Sequence, residues 1–145
     1  MKKQDYKNHV QIYAPHHFVL LPLLMVAIFI SFRNIFTHPD QQQFFIWITV
    51  VLVFIAYVAV MMRQHYALGN QNRIVRLEMR LRYYELTGKR FETLENQLSF
   101  GQIAALRFAS DEQLPALLQR ALSEKLSAKD IKTSVQNWQA DYMRV

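Results

Sequence analysis

The chain has 145 residues, 52% of them hydrophobic and 19% charged, with a net charge of +6 and no cysteine. That length allows one small folded unit, or one such unit with an anchor, and the missing cysteine excludes disulfides, thiolate catalysis and cysteine-held zinc or iron–sulfur centres. The charge is unevenly spread: Phe18 to Met62 carry only Arg33 and Asp40, whereas Arg63 to Arg90 hold seven basic residues against two acidic ones.

Residues 1–17 read as a short polar tail containing Lys2, Lys3 and Lys7. The run "FVLLPLLMVAIFISFRNIF" over 18–36 predicts a first transmembrane helix. Pro22 falls early, where a first turn tolerates it. Arg33 falls late, where its guanidinium can snorkel to the headgroups, or else serve a function inside the membrane. A cleaved signal peptide is the competing reading. About seventeen residues precede the run, no small-x-small site follows it and a second apolar run comes at once, so the segment is expected to be retained.

The polar connection "THPDQQQ" over 37–43 can only join two antiparallel helices. The uncharged run "FFIWITVVLVFIAYVAVMM" over 44–62 predicts the second transmembrane helix. At ~1.5 Å per residue it is about 28 Å long, close to the ~30 Å hydrocarbon core. Lys and Arg flank both runs on the tail side and are missing from the loop, so both termini are expected to be cytoplasmic. Phe36, Phe44, Phe45 and Trp47 would form the outer aromatic belt, and Tyr13 and Tyr66 the inner one.

Residues 63–88 predict a basic juxtamembrane amphipathic helix. Gly69-Asn70 marks a possible end or hinge. Ile74, Leu77, Leu81 and Tyr84 then recur at i, i+3, i+7 and i+10, a stripe two heptads long that ends at Gly88. It is expected to pack on a core or a partner, or to lie on the membrane. Glu78–Arg82 and Glu85–Lys89 have the favourable i, i+4 order. Arg63, Arg73, Arg76, Arg80 and Arg82 are assigned to anionic lipid headgroups, where each contributes roughly 1 kcal/mol. Basic residues beside Tyr83 and Tyr84 could also track phosphates of a nucleic acid. Their place next to an apolar run favours lipid, and no nucleic acid is expected.

Residues 89–145 predict a cytoplasmic module of short helices. Ser99, Ser110 and Ser127 each open a capping-box pattern. Leu114, Leu117, Leu118, Ala121 and Leu122 make one apolar face. Ile131, Val135, Trp138 and Tyr142 make another, expected to carry the largest buried area of the tail. Ser110, Asp111 and Glu112 are assigned to helix initiation rather than to catalysis.

The fold class is thus all-α: a two-helix transmembrane hairpin, a cytoplasmic amphipathic helix and a small bundle of short helices. The phrases "LRFASDEQLP" and "IKTSVQNWQADYMRV", with the early "YKNHVQIYAPHHFVLLPLL", resemble a family of small bacterial membrane proteins known only as a domain of unknown function. The resemblance covers nearly the whole chain. It implies a bacterial source, hence the inner membrane, two spans and a helical tail, and it brings no activity or site residue.

Candidate chemistry is sparse. His16 or His17 could approach His65 at the inner interface and bind a metal or titrate, yet no ligand spacing supports this and the residues also read as interfacial anchors. Glu92 and Glu95 lack the histidine a di-metal bundle needs and read as a solvated face. The sequence therefore predicts no cofactor, no metal and no enzyme. It predicts a scaffold or regulatory module, with a small oligomeric transport or channel subunit as the alternative, in which Arg33 and Tyr57 would face the pore. A tail this short rarely holds a core alone, and Ala27 and Ser31 form a small-xxx-small pair. A homo-oligomer, or docking on another membrane protein, is expected.

Overall fold

The computed structural model describes residues 4–9 and 12–142, and every described element is helical or irregular, with no strand. Lys2 and Lys3 of the predicted tail lie outside the described residues. The chain divides into two units, residues 12–69 and residues 1–11 with 70–145.

The first unit is an antiparallel hairpin of α1 (Leu21–Thr37) and α2 (Gln42–Met61), joined through the 3-10 turn Pro39–Gln41. Each helix carries a π-helical turn at the end away from the loop, Pro15–Leu20 before α1 and Met62–Ala67 after α2. Pro22 is the second residue of α1 and follows directly on the π-helical turn Pro15–Leu20. The seam is built on small and polar residues. The buried Ser31 hydroxyl lies 2.8 Å from the Thr49 hydroxyl, and both reach the Phe45 carbonyl, at 3.2 and 2.8 Å. The polar groups of the seam thus satisfy one another, as packing in an apolar medium requires. The outward faces are apolar. No residue of α2 is buried, and Met25, Phe29 and Phe54 are each more than 60% exposed.

The second unit opens on α3 (Leu68–Thr87). Gly69 and Asn70 lie inside this helix, so the expected end or hinge there is not formed. The helix stops at Gly88, which takes φ 68° and donates its N–H to the Tyr84 carbonyl at 2.7 Å, an αL cap. Short helices follow: α4 (Glu92–Glu95), α5 (Phe100–Leu106), α6 (Leu114–Ser123) and α7 (Ala128–Ser134). Ser99 and Ser127 make full capping boxes with Gln102 and Asp130.

Ser110 does not cap in that way. The helix it was expected to open begins at Leu114, and the Ser110 carbonyl, not its hydroxyl, accepts the N–H groups of Gln113 and Leu114. The predicted helical stripe ending at Trp138 and Tyr142 is also corrected. Helix α7 ends at Ser134, and Val135 is already extended. The Gln113 amide takes over the backbone bonds there: its Nε2 donates to the Ser134 carbonyl at 2.8 Å, and its Oε1 accepts from the Gln136 N–H at 3.1 Å. Gln139 N–H then donates to the Phe108 carbonyl at 2.8 Å. A side-chain amide can replace the next helical turn because it carries both a donor and an acceptor.

The core joins Met79 and Tyr83 of α3 to Phe91, Leu98, Ile103, Leu106, Leu114, Leu118 and Ile131, with Val135 half-buried against them. Tyr142 is exposed and Trp138 only half-buried, so of the expected terminal stripe only Ile131 is fully buried.

Candidate functional site

Helix α3 has two apolar stripes, and the module uses the one the periodicity did not favour. Val75, Met79 and Tyr83, at i, i+4 and i+8, face the core and are buried. Ile74, Leu77, Leu81 and Tyr84 lie on the other side and are 53–60% exposed. Of the places expected for them, a core, a partner or the membrane, the chain's own core is not the one they occupy; they remain as a surface. The i, i+4, i+8 run is visible in the sequence, but it has three members against four.

The arginines of α3 split in two. Glu95, expected on a solvated face, is 6% exposed and sits between Arg76 Nη1 and Arg80 Nε, the latter at 2.7 Å. The Arg80 hydrogen bond, followed by that of Arg76, holds the Glu95 carboxyl below its ordinary range against the opposing effect of burial. Arg82, expected at lipid headgroups, is a structural clamp. Its Nε donates to Asp111 at 2.7 Å, and its Nη groups donate to the carbonyls of Arg107 and Ala109 and to Gln139 Oε1. The side chain is 18% exposed. These partners also displace the predicted Glu78–Arg82 pair. No ion pair joins Glu85 to Lys89, which lies past the helix end at Gly88, and among the described residues Arg73, Glu78 and Glu85 enter no ion pair. Arg73 is exposed and Arg63 half-buried.

Chain ends meet on the module. Gln4, buried, accepts the Asp141 N–H on Oε1 at 2.6 Å. The His9 ring stands edge-on to Phe108 and receives Lys132 Nζ at Nε2, 2.9 Å away. Phe108 stacks on Trp138 with centroids 4.5 Å apart, and the Arg107 guanidinium lies over Phe108 while bonding Asp141 at 2.8 Å. Sequence reasoning missed Gln4, His9, Glu95, Arg107 and Phe108 as organising residues. No local period marks them, since their partners are up to 138 positions away.

Beside this arrangement a polar groove of about 540 Å³ is lined by Gln4, Asp5, Ser110, Asp111, Glu112 and Gln136 to Gln139. Asp111 is paired with Arg82, and the Glu112 carboxyl is held below its ordinary range, first by its own backbone N–H.

On the hairpin, the π-helical turns bring their histidines to one end. The His16 and His17 rings are 5.2 Å apart, and His17 Nδ1 bonds the Tyr13 carbonyl at 3.1 Å. His65 lies in the other π turn. Among the described residues no group of three or more His, Asp or Glu is placed to hold a metal ion. Tyr57 lines an apolar groove of about 410 Å³ with Thr49, Val50, Val53 and Phe54, and Arg33 is exposed near the end of α1.

No curated protein and no solved structure matches this chain. One family model does, and it spans the chain from end to end. Over residues 1–145 the protein belongs to DUF6526, a family of unknown function.

Proposed function

We propose that the protein is an integral protein of the bacterial inner membrane, with both termini cytoplasmic, and that its helical module is a non-enzymatic scaffold or regulatory unit for a partner in that membrane. One observation carries the reading. Two helices long and apolar enough to cross a bilayer expose their large side chains outward along their whole length, and only two residues of α1 and none of α2 are buried. A core helix of a water-soluble protein would be covered by its own chain. Apolar surface on this scale needs lipid around it. The Lys and Arg flanking both helices on the tail side, against none in the loop, support the orientation.

The test is fractionation and protease protection of the full chain in its native membrane. The protein is expected to stay in the pellet through alkaline carbonate. Added protease should cut the module only after the membrane is opened from the cytoplasmic side. Recovery in the supernatant without detergent overturns the membrane reading; cleavage in intact cells overturns the orientation.

A further inference from the structure

The outward stripe of α3 is flanked by charges of opposite sign. With Ile74 and Leu81 at heptad positions a, and Leu77 and Tyr84 at d, Arg73 and Arg80 fall at g and Glu78 and Glu85 at e. At 100° per residue, Val75, Met79 and Tyr83 point the opposite way, into the module. One flank of the exposed stripe is therefore basic and the other acidic. Arg73, Glu78 and Glu85 are exposed and make no ion pair among the described residues. Arg80 engages Glu95 through Nε, yet its side chain is still 38% exposed.

We infer that this stripe is the contact surface for a second copy of the same chain, in a parallel, two-fold symmetric pair of α3 helices. The inference names the partner of the module proposed above and rests on that reading only for the module's role, not for the contact itself. In a parallel pair, a g residue meets the e residue five positions further along the other helix. Arg73 then faces Glu78 of the second copy and Arg80 faces its Glu85, and symmetry doubles both pairs. An antiparallel pair would set e against e and g against g, like against like. A lipid surface fits less well, because an interfacial helix on anionic headgroups carries cations on its polar flanks, and here one flank is Glu78 and Glu85.

Two heptads do not hold a free coiled coil together. Here the helix is already ordered by its own module through Val75, Met79 and Tyr83, so association does not have to bear the cost of folding it.

The chain has no cysteine, so single substitutions report directly. Ile74→Cys and Tyr84→Cys are made separately in the full-length protein, and disulfide formation under mild oxidation is followed in membranes and in mild detergent. Gln97→Cys, exposed and away from the stripe, serves as the collision control. In a parallel pair each stripe variant links to itself faster than the control. Arg73→Glu or Glu78→Arg alone is expected to lower the association constant on the order of tenfold, because two equivalent pairs turn repulsive, and the two changes together restore it. Linkage only between Ile74→Cys and Tyr84→Cys in a mixture means an antiparallel contact and overturns the proposal. No linkage above the control overturns it too; if the cysteines are then shielded only by anionic vesicles, the stripe is a lipid face. A chain that cross-links as expected yet fractionates as soluble would overturn the membrane reading and leave this one standing.

Discussion

Lys125 takes φ 51° just past the end of α6, and the Leu126 N–H returns to the Ala121 carbonyl at 3.1 Å. This is a Schellman closure with lysine at the position that glycine fills at least strain. Lys125→Gly should therefore stabilise the module by about 1 kcal/mol, read as a higher midpoint in thermal melts of the detergent-solubilised chain. Serines divide by the bonds they make. Ser99→Ala and Ser127→Ala each remove a hydroxyl that caps a backbone N–H and should cost about 1 kcal/mol. Ser110→Ala keeps the carbonyl that does the work there and should cost less than either. Equal losses at all three sites would show that the Ser110 hydroxyl matters for a reason other than helix initiation. The sequence showed all three patterns as equals, because a serine followed three positions on by Gln or Asp is blind to whether the helix actually starts at that serine.

Helix α4 is a single turn, and a helix so short is not stable by itself. Glu95 fixes it to α3 through Arg76 and Arg80. Because the Glu95 carboxyl is held below its unfolded value, the contribution is complete above the unfolded pKa and is lost as the pH falls through the folded one. The hydrogen-exchange protection factors of residues 91–98 in the full chain, taken relative to the intrinsic rate at each pH, should fall on acidification below the ordinary glutamate range. Glu95→Gln should show that lower protection already at neutral pH and lose its acid dependence. Arg82 works at the same scale, holding α3 to the α5–α6 loop and the closing segment. Arg82→Met keeps the stem but strips donors from the Arg107 and Ala109 carbonyls, and should cost about 2–3 kcal/mol, seen as loss of protection at Phe108 and Gln139. These pairs were hidden in the sequence for one reason. An exposed i, i+4 pair contributes only a few tenths of a kcal/mol, so Arg80 goes to the buried Glu95 carboxylate 15 positions away and Arg82 to the part-buried carbonyls of Arg107 and Ala109, 25 and 27 positions away.

Over the whole molecule, the hairpin and the module obey different rules of burial. In the hairpin, polar Ser31 and Thr49 turn inward and phenylalanines turn outward; in the module Phe91, Phe108 and Met79 are fully buried. Ser31→Leu should weaken the hairpin, since a bulky side chain holds the helices apart and leaves the Thr49 hydroxyl without its partner. Cysteine pairs placed across α1 and α2 would report this as slower cross-linking, and unchanged rates would mean that the seam does not depend on close approach.

The sequence by itself determined the all-helical class, the two long apolar helices, the starts of α5 and α7 and the stop at Gly88. Each of these follows from neighbours within about four residues: unbroken apolar composition, a serine with a carboxylate or amide three positions on, a glycine free to take positive φ. Only the tertiary structure decided which stripe of α3 enters the core, where α7 ends, and which carboxylates the arginines meet. Val75, Met79 and Tyr83 compete with Ile74, Leu77 and Leu81 on equal terms until Phe91 and Leu118 arrive to cover one side. Trp138 leaves the helix because Phe108 offers its ring a stack while Gln113 bonds the backbone of Ser134 and Gln136 in place of a further turn. Contacts between residues tens of positions apart leave no period in the chain, and it is their burial, not local propensity, that chooses among the faces a helix presents.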